Sequence, residues 1–161
     1  MKSLTEITRM LTNNNQKFVD EITEMDDDFY SFYQKHEERF NDDLDLYLDD
    51  DDGHDYVTES IFSEWLHFNF SAVVDWKEYI DEILRQLDDV NKNLCYPLDI
   101  DKIEIDSEED TLKALAMINA HFSARGYKLV GLESHSDCYN LFITPDFDGI
   151  ACSRTIERAS Y

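Results

Sequence analysis

Apolar residues recur every three or four positions over most of the first hundred residues, the repeat of helices that bury one face. Leu4, Ile7 and Leu11 form the first stripe, and Ser3 followed by Glu6 fits a capping box at its start. Asn13, Asn14 and Asn15 then break or fray that helix. A second helical pattern runs from Gln16 to Phe40, with Phe18, Ile22, Met25, Phe29, Phe32, Tyr33 and Phe40 on or near one face. Thr58 is placed to cap a third, in which Ile61, Phe62, Trp65, Leu66 and Phe70 recur at helical spacing. A fourth runs from Val74 to Asn93, its apolar face made of Ile80, Ile83, Leu84, Leu87 and Val90.

The pattern changes near Pro97. Ile100, Ile103 and Ile105 lie in LDIDKIEID, an alternation that predicts a strand. Ser107 is placed to cap a helix running through Arg125. Glu108, Glu109 and Asp110 suit its positive end, and Gly126 suits its close. The expected stripe of that helix is Leu112, Leu115, Ala116, Ile118, Asn119 and Phe122. YKLVGLES and CYNLFITP predict two further strands, joined as a hairpin by the polar turn SHSD. The pattern after residue 145 is ambiguous, with Ile156 and Arg158 placed for a short final helix. The expected fold class is α+β in a single compact domain, residues 1–161. A mainly helical part, 1–93, packs with a small strand–helix–strand–strand unit in 94–161.

Composition is compatible with a folded core: 42% of residues are hydrophobic, ten are Phe and nine Tyr, and only four are Gly. Charge is what departs from the ordinary. Fourteen Lys and Arg face 37 Asp and Glu, a net charge of −23. Residues 1–93 carry 25 acidic and 8 basic residues, against 12 and 6 in the remainder. Such a chain repels phosphate backbones and anionic lipid, so neither nucleic acid nor membrane is an expected partner. It attracts basic proteins and steers them in from a distance. No run of eighteen apolar residues is present, and the opening MKSLTEITRM does not read as a signal peptide. Cys95, Cys138 and Cys152 show no zinc spacing and read as reduced, mostly buried thiols, so the expected compartment is the cytoplasm.

The charge is densest at residues 42–55, DDLDLYLDDDDGHD, with eight aspartates in fourteen positions. The four consecutive carboxylates at 49–52 repel one another and cannot be buried unpaired, so they must face water, a metal ion or a cationic partner. A calcium loop aligned on Gly53 would put Asp50, Asp52 and Glu59 at ligand positions three, five and twelve. Leu48 then falls where the first carboxylate is required, and Asp55 where an apolar residue belongs. No metal or cofactor site is assigned. Carboxylates flanked by tyrosines instead match interfaces that grip Arg and Lys. The expected partner-binding residues are Asp42, Asp43, Asp45, Tyr47, Asp49, Asp50, Asp51, Asp52, Asp55 and Tyr56.

Catalytic signatures are sparse. His135, Asp137 and Cys138 lie close together in HSDC, but at a turn with no recognisable oxyanion site. His36, His54, His67, His121 and His135 form no HExxH or HxH pattern, and there is no GxSxG, P-loop or GxGxxG. His67 and His121 read as partly buried helix residues.

In size, acidity and lack of catalytic motifs the chain resembles the cytoplasmic immunity proteins of bacterial contact-dependent growth inhibition and related toxin systems. DTLKALAMINAHFSARGYKLVGLESHSDCYNLFITP, about a fifth of the chain, is similar to an uncharacterised bacterial domain family found near such toxin genes. It carries no residue whose role transfers. The resemblance implies a non-enzymatic inhibitor that binds a cognate basic toxin domain, commonly a nuclease. The alternatives are an acidic adaptor or nucleic-acid mimic on a basic host protein, and, with least support, a metal-dependent enzyme. The C-terminal hairpin could also offer a partner an edge strand.

Overall fold

The structure is a computed structural model that describes residues 3–43, 62, 65, 66, 69–75, 77–132 and 138–145. Helix α1, Leu4–Leu11, opens with the expected capping box: Ser3 Oγ accepts from the Glu6 amide at 3.2 Å, and Glu6 Oε2 from the Ser3 amide at 3.0 Å. It stops where Asn13 and Asn14 turn left-handed, at φ 50° and 60°. Asn13 then donates to the carbonyl of Leu94 at 2.9 Å, tying this end to a distant helix terminus.

The single helix expected from Gln16 to Phe40 is two. Helix α2 is Gln16–Asp27 and α3 is Phe29–Lys35. The break falls at Asp28, which leaves helical geometry and accepts from the Ser31 amide at 3.1 Å. An aspartate that caps a new helix competes with continuation of the old one. A π-helical turn, Arg39–Asp43, follows. Phe18, Val19, Ile22, Met25, Phe29, Phe32 and Phe40 are buried, as the spacing requires. The described residues of the next segment, Phe62, Trp65, Leu66, Asn69 and Phe70, are helical, and the four apolar ones are buried.

Residues 71–94 depart from the helix expected over 74–93. Ser71–Asp75 is strand β1, and the following helix α4 is Ile80–Leu94 rather than 74–93. The β-branched pair Val73–Val74 favours the strand, and Asp75 closes it by accepting from the Lys77 amide at 2.8 Å. Helix α4 ends without glycine. Cys95 takes the left-handed position at φ 56°, and the Tyr96 and Cys95 amides return to the carbonyls of Asn91 and Lys92.

The strand expected at Ile100–Ile105 is absent. Ile100–Lys102 is a 3-10 turn, with Leu98 and Ile100 buried and Ile103 and Ile105 half-buried. Alternation here marks a loop pinned to the core by its apolar members. Helix α5, Thr111–Ser123, starts three residues later than Ser107 would set, because Asp110 caps it through the amides of Leu112 and Lys113.

Strands β2, Tyr127–Leu132, and β3, Cys138–Pro145, form the expected antiparallel hairpin; its turn lies outside the described residues. β1 pairs antiparallel with the other side of β3, giving the order β1-β3-β2. Asn140 to Thr144 are all buried, so the central strand is covered on both faces. Helices α1 and α4 pack on β3, α4 on β1, and α5 on β2. The α+β class is thus present. One strand of the sheet, however, comes from the helical, acidic part of the chain.

Both edges of the sheet are occupied by amide side chains. The outward N–H of Val73 on β1 donates to Gln86 Oε1 of α4 at 2.9 Å. That of Leu129 on β2 donates to Asn119 Oδ1 of α5 at 2.9 Å. β3 has both neighbours, so a further strand could join only at β1 or β2, and one outward amide of each is engaged by a helix.

Candidate partner-binding surface

Only Asp42 and Asp43 of the ten expected binding residues fall among the described residues. Both lie in the π-helical turn, and Asp42 is exposed. Asp45, Tyr47, Asp49, Asp50, Asp51, Asp52, Asp55 and Tyr56 lie outside them, as do His54, His67, His135, Asp137 and Cys152. The described residues that lead into the acidic run form a surface of their own.

That surface is built by α2, α3 and the π-helical turn. Asp26, Asp27, Glu37, Glu38 and Asp42 are exposed, and none makes an ion pair with another described residue. The cations of the same segment are engaged. Lys35 binds Glu24 at 2.6 Å, Lys17 lies 3.8 Å from Glu21, and Arg39 lies over the Trp65 ring at 3.6 Å. Asp26 and Asp27 occupy the last turn of α2, which contains no basic residue. Carboxylates there face the negative end of the helix dipole, an unfavourable placement of about 0.3–1 kcal/mol each at low salt. Asp28 has a structural reason to be acidic, its cap on α3. Asp27 lies between the negative end of α2 and the positive end of α3, so the unfavourable placement falls mainly on Asp26.

Tyr30 lies beside them, 54% exposed, with its ring edge-on to Phe29. The apolar spacing passes over Tyr30 because its position faces away from the stripe; the signal that could have found it is that same phase. Tyr79 is 79% exposed at the start of α4, beside Glu78 and Asp81.

An aromatic cluster supports the surface from below. Trp65, Phe32 and Phe40 are fully buried and pack edge-on or tilted against one another, with ring centroids 4.9–6.1 Å apart. Trp65 Nε1 donates to Glu21 Oε2 at 2.9 Å, and Arg39 Nη2 donates to the Trp65 carbonyl at 3.0 Å. His36 lies against Phe32 and Trp65, and its buried Nε2 has no hydrogen-bond partner among the described residues. Burial holds the His36 imidazole below its ordinary pKa, with Glu21 and Glu24 opposing and Lys35 and Arg39 assisting. These residues are core, and their chemistry is to hold α2, α3 and the Trp65 segment as one rigid base.

The thiols differ from expectation: Cys95 is exposed, because the left-handed helix end turns it outward, and Cys138 is half-buried. His121 is half-buried, as its helix position implied. Among the described residues there is no group of three His, Cys, Asp or Glu side chains arranged to hold a metal ion. Nor is any helix of the described residues long and apolar enough to cross a membrane.

No curated protein and no solved structure matches the chain. A family model does, along nearly its whole length: from residue 3 to residue 160 the chain belongs to the domain of unknown function family DUF6630.

Proposed function

We propose that this chain is a non-enzymatic binding protein that captures and neutralises a basic protein through its acidic α2–α3 surface and the run that follows it. The observation that carries this reading is the pair Asp26 and Asp27, exposed at the end of α2 without an ion pair to another described residue, Asp26 against the negative end of that helix. Carboxylates kept where they oppose folding are accounted for by a cation that arrives from outside. Exposed Tyr30 supplies the aromatic anchor that such interfaces use. The net charge of −23 would accelerate the encounter.

The partner class that fits is a toxin domain with a cationic nucleic-acid groove, and the chain would act as its immunity protein. The acidic residues would occupy the groove in place of phosphates. The runner-up is an acidic adaptor on a basic host protein, with the same surface and no toxin. Growth of bacteria expressing a basic nuclease toxin encoded beside this chain separates them. Co-expression of the chain should restore growth, and the Asp26→Asn, Asp27→Asn, Tyr30→Ala variant should not. Failure of the parent chain to restore growth would count against the immunity reading and leave the adaptor.

A further inference from the structure

The helix α5 has two unlike faces. Ala114, Leu115, Ile118 and Phe122 are buried, and Asn119 reaches the edge of β2. The opposite face carries Leu112, Ala116, Met117, Ala120 and Ala124, with Lys113 as its single charge, bound to Glu109 at 2.7 Å. Leu112, expected in the buried stripe, is 41% exposed, as is Met117. The outer face of α4, by contrast, carries Asp81, Arg85, Asp89 and Lys92. A helix face without one carboxylate is anomalous on a chain of net charge −23.

We propose that this face docks a second copy of the same chain, the two α5 helices packing antiparallel about a two-fold axis at the level of Ala116 and Ala120. Charge selects both occupant and direction. Asp106, Glu108 and Asp110 are exposed before the helix, whereas Arg125 is exposed after it. An antiparallel pair sets each acidic end beside the basic end of the other copy; a parallel pair would set like on like. Contact through the acidic α2–α3 surface would bring carboxylates together, so this carboxylate-free face is where two copies can meet. Ala116 and Ala120 at the crossing let the backbones approach at the close end of the roughly 8–10 Å range for packed helices. Leu112 and Met117 then cover the crossing from both sides.

Sedimentation of the full chain tests this, at concentrations from about 5 to about 200 µM, the span in which a micromolar dimer forms and dissociates. The expected result is a concentration-dependent passage from monomer to dimer mass. Ala120→Glu, on an exposed helical position, should hold the chain monomeric throughout with an unchanged helical circular dichroism spectrum. Glu108→Lys or Arg125→Glu alone should weaken the dimer several-fold, and the two together should restore it. A parent that stays monomeric overturns the proposal, and protection of Met117 from oxidation in that monomer would point to residues 146–161 or another partner as the cover. A dimer indifferent to Ala120→Glu, or a double variant no better than either single one, also overturns it.

Discussion

The indole N–H of Trp65 donates to the carboxylate of Glu21 at 2.9 Å, joining residues 44 positions apart. Through this bond the acidic helix α2 is fixed to the aromatic core. Glu21→Ala would leave the indole donor without its acceptor and should cost about 1–3 kcal/mol. Glu21→Gln keeps an acceptor and should cost less. Denaturant unfolding of the two variants checks the order.

Asp26→Asn removes a carboxylate from the negative end of α2. The free protein should gain about 0.3–1 kcal/mol, because the dipole no longer opposes a charge there. The same change should weaken capture of a basic partner. Thermal unfolding of the free chain and binding to the partner, measured on one variant, should therefore move in opposite directions.

His36 makes stability pH-dependent. Burial holds its folded pKa below the ordinary 6.5, so the unfolded chain takes up the proton first as pH falls. Its contribution is complete above about pH 6.5 and is lost as pH falls through the depressed folded value. Burial moves His121 the same way, with Arg125 adding to it. His36→Phe should flatten the decline in stability between about pH 7 and pH 5 relative to the parent. Comparing the two proteins cancels the titration of the carboxylates common to both.

The helix amides Gln86 and Asn119 serve the outward N–H groups of Val73 and Leu129. Replacing either by Leu should cost about 1–3 kcal/mol for the unsatisfied donor. It should also speed hydrogen exchange at that one amide and open the edge to pairing with other chains. Equal exchange in parent and variant would show that the side chain does not protect the edge.

Cys95 sits in the left-handed region that disfavours a side chain. Cys95→Gly should raise stability by about 0.5–1 kcal/mol, measured by denaturant titration under reducing conditions.

The helical half of the fold was legible in the sequence because long apolar stripes and caps act locally. Ser3 with Glu6, and the Phe18–Ile22–Met25 stripe, needed no tertiary information. The strand expectations that failed depended on distant partners. Ser71–Asp75 is five residues long and becomes a strand only by lying against β3, some seventy residues away. Ile100–Ile105 alternates like a strand but pairs with neither edge of the sheet. Asp28 and Asp110 won over the expected boundaries because a carboxylate that reaches an amide two or three residues on redefines where a helix begins. At the candidate surface, Asp42 is exposed, Tyr30 was legible in the phase of the stripe that passes over it, and the Asp26–Asp27 pair emerged only once the end of α2 was known.

The central claim is that exposed carboxylates of α2 and α3 hold a basic protein. Its most direct test is the affinity of the chain for a basic protein that it retains from a bacterial lysate, measured at low and at physiological salt for the parent and for the Asp26→Asn, Asp27→Asn, Glu38→Gln variant. The variant should bind at least about tenfold more weakly at low salt, mainly through slower association, with a shallower salt dependence. Equal affinity and equal salt dependence in the two proteins would contradict it.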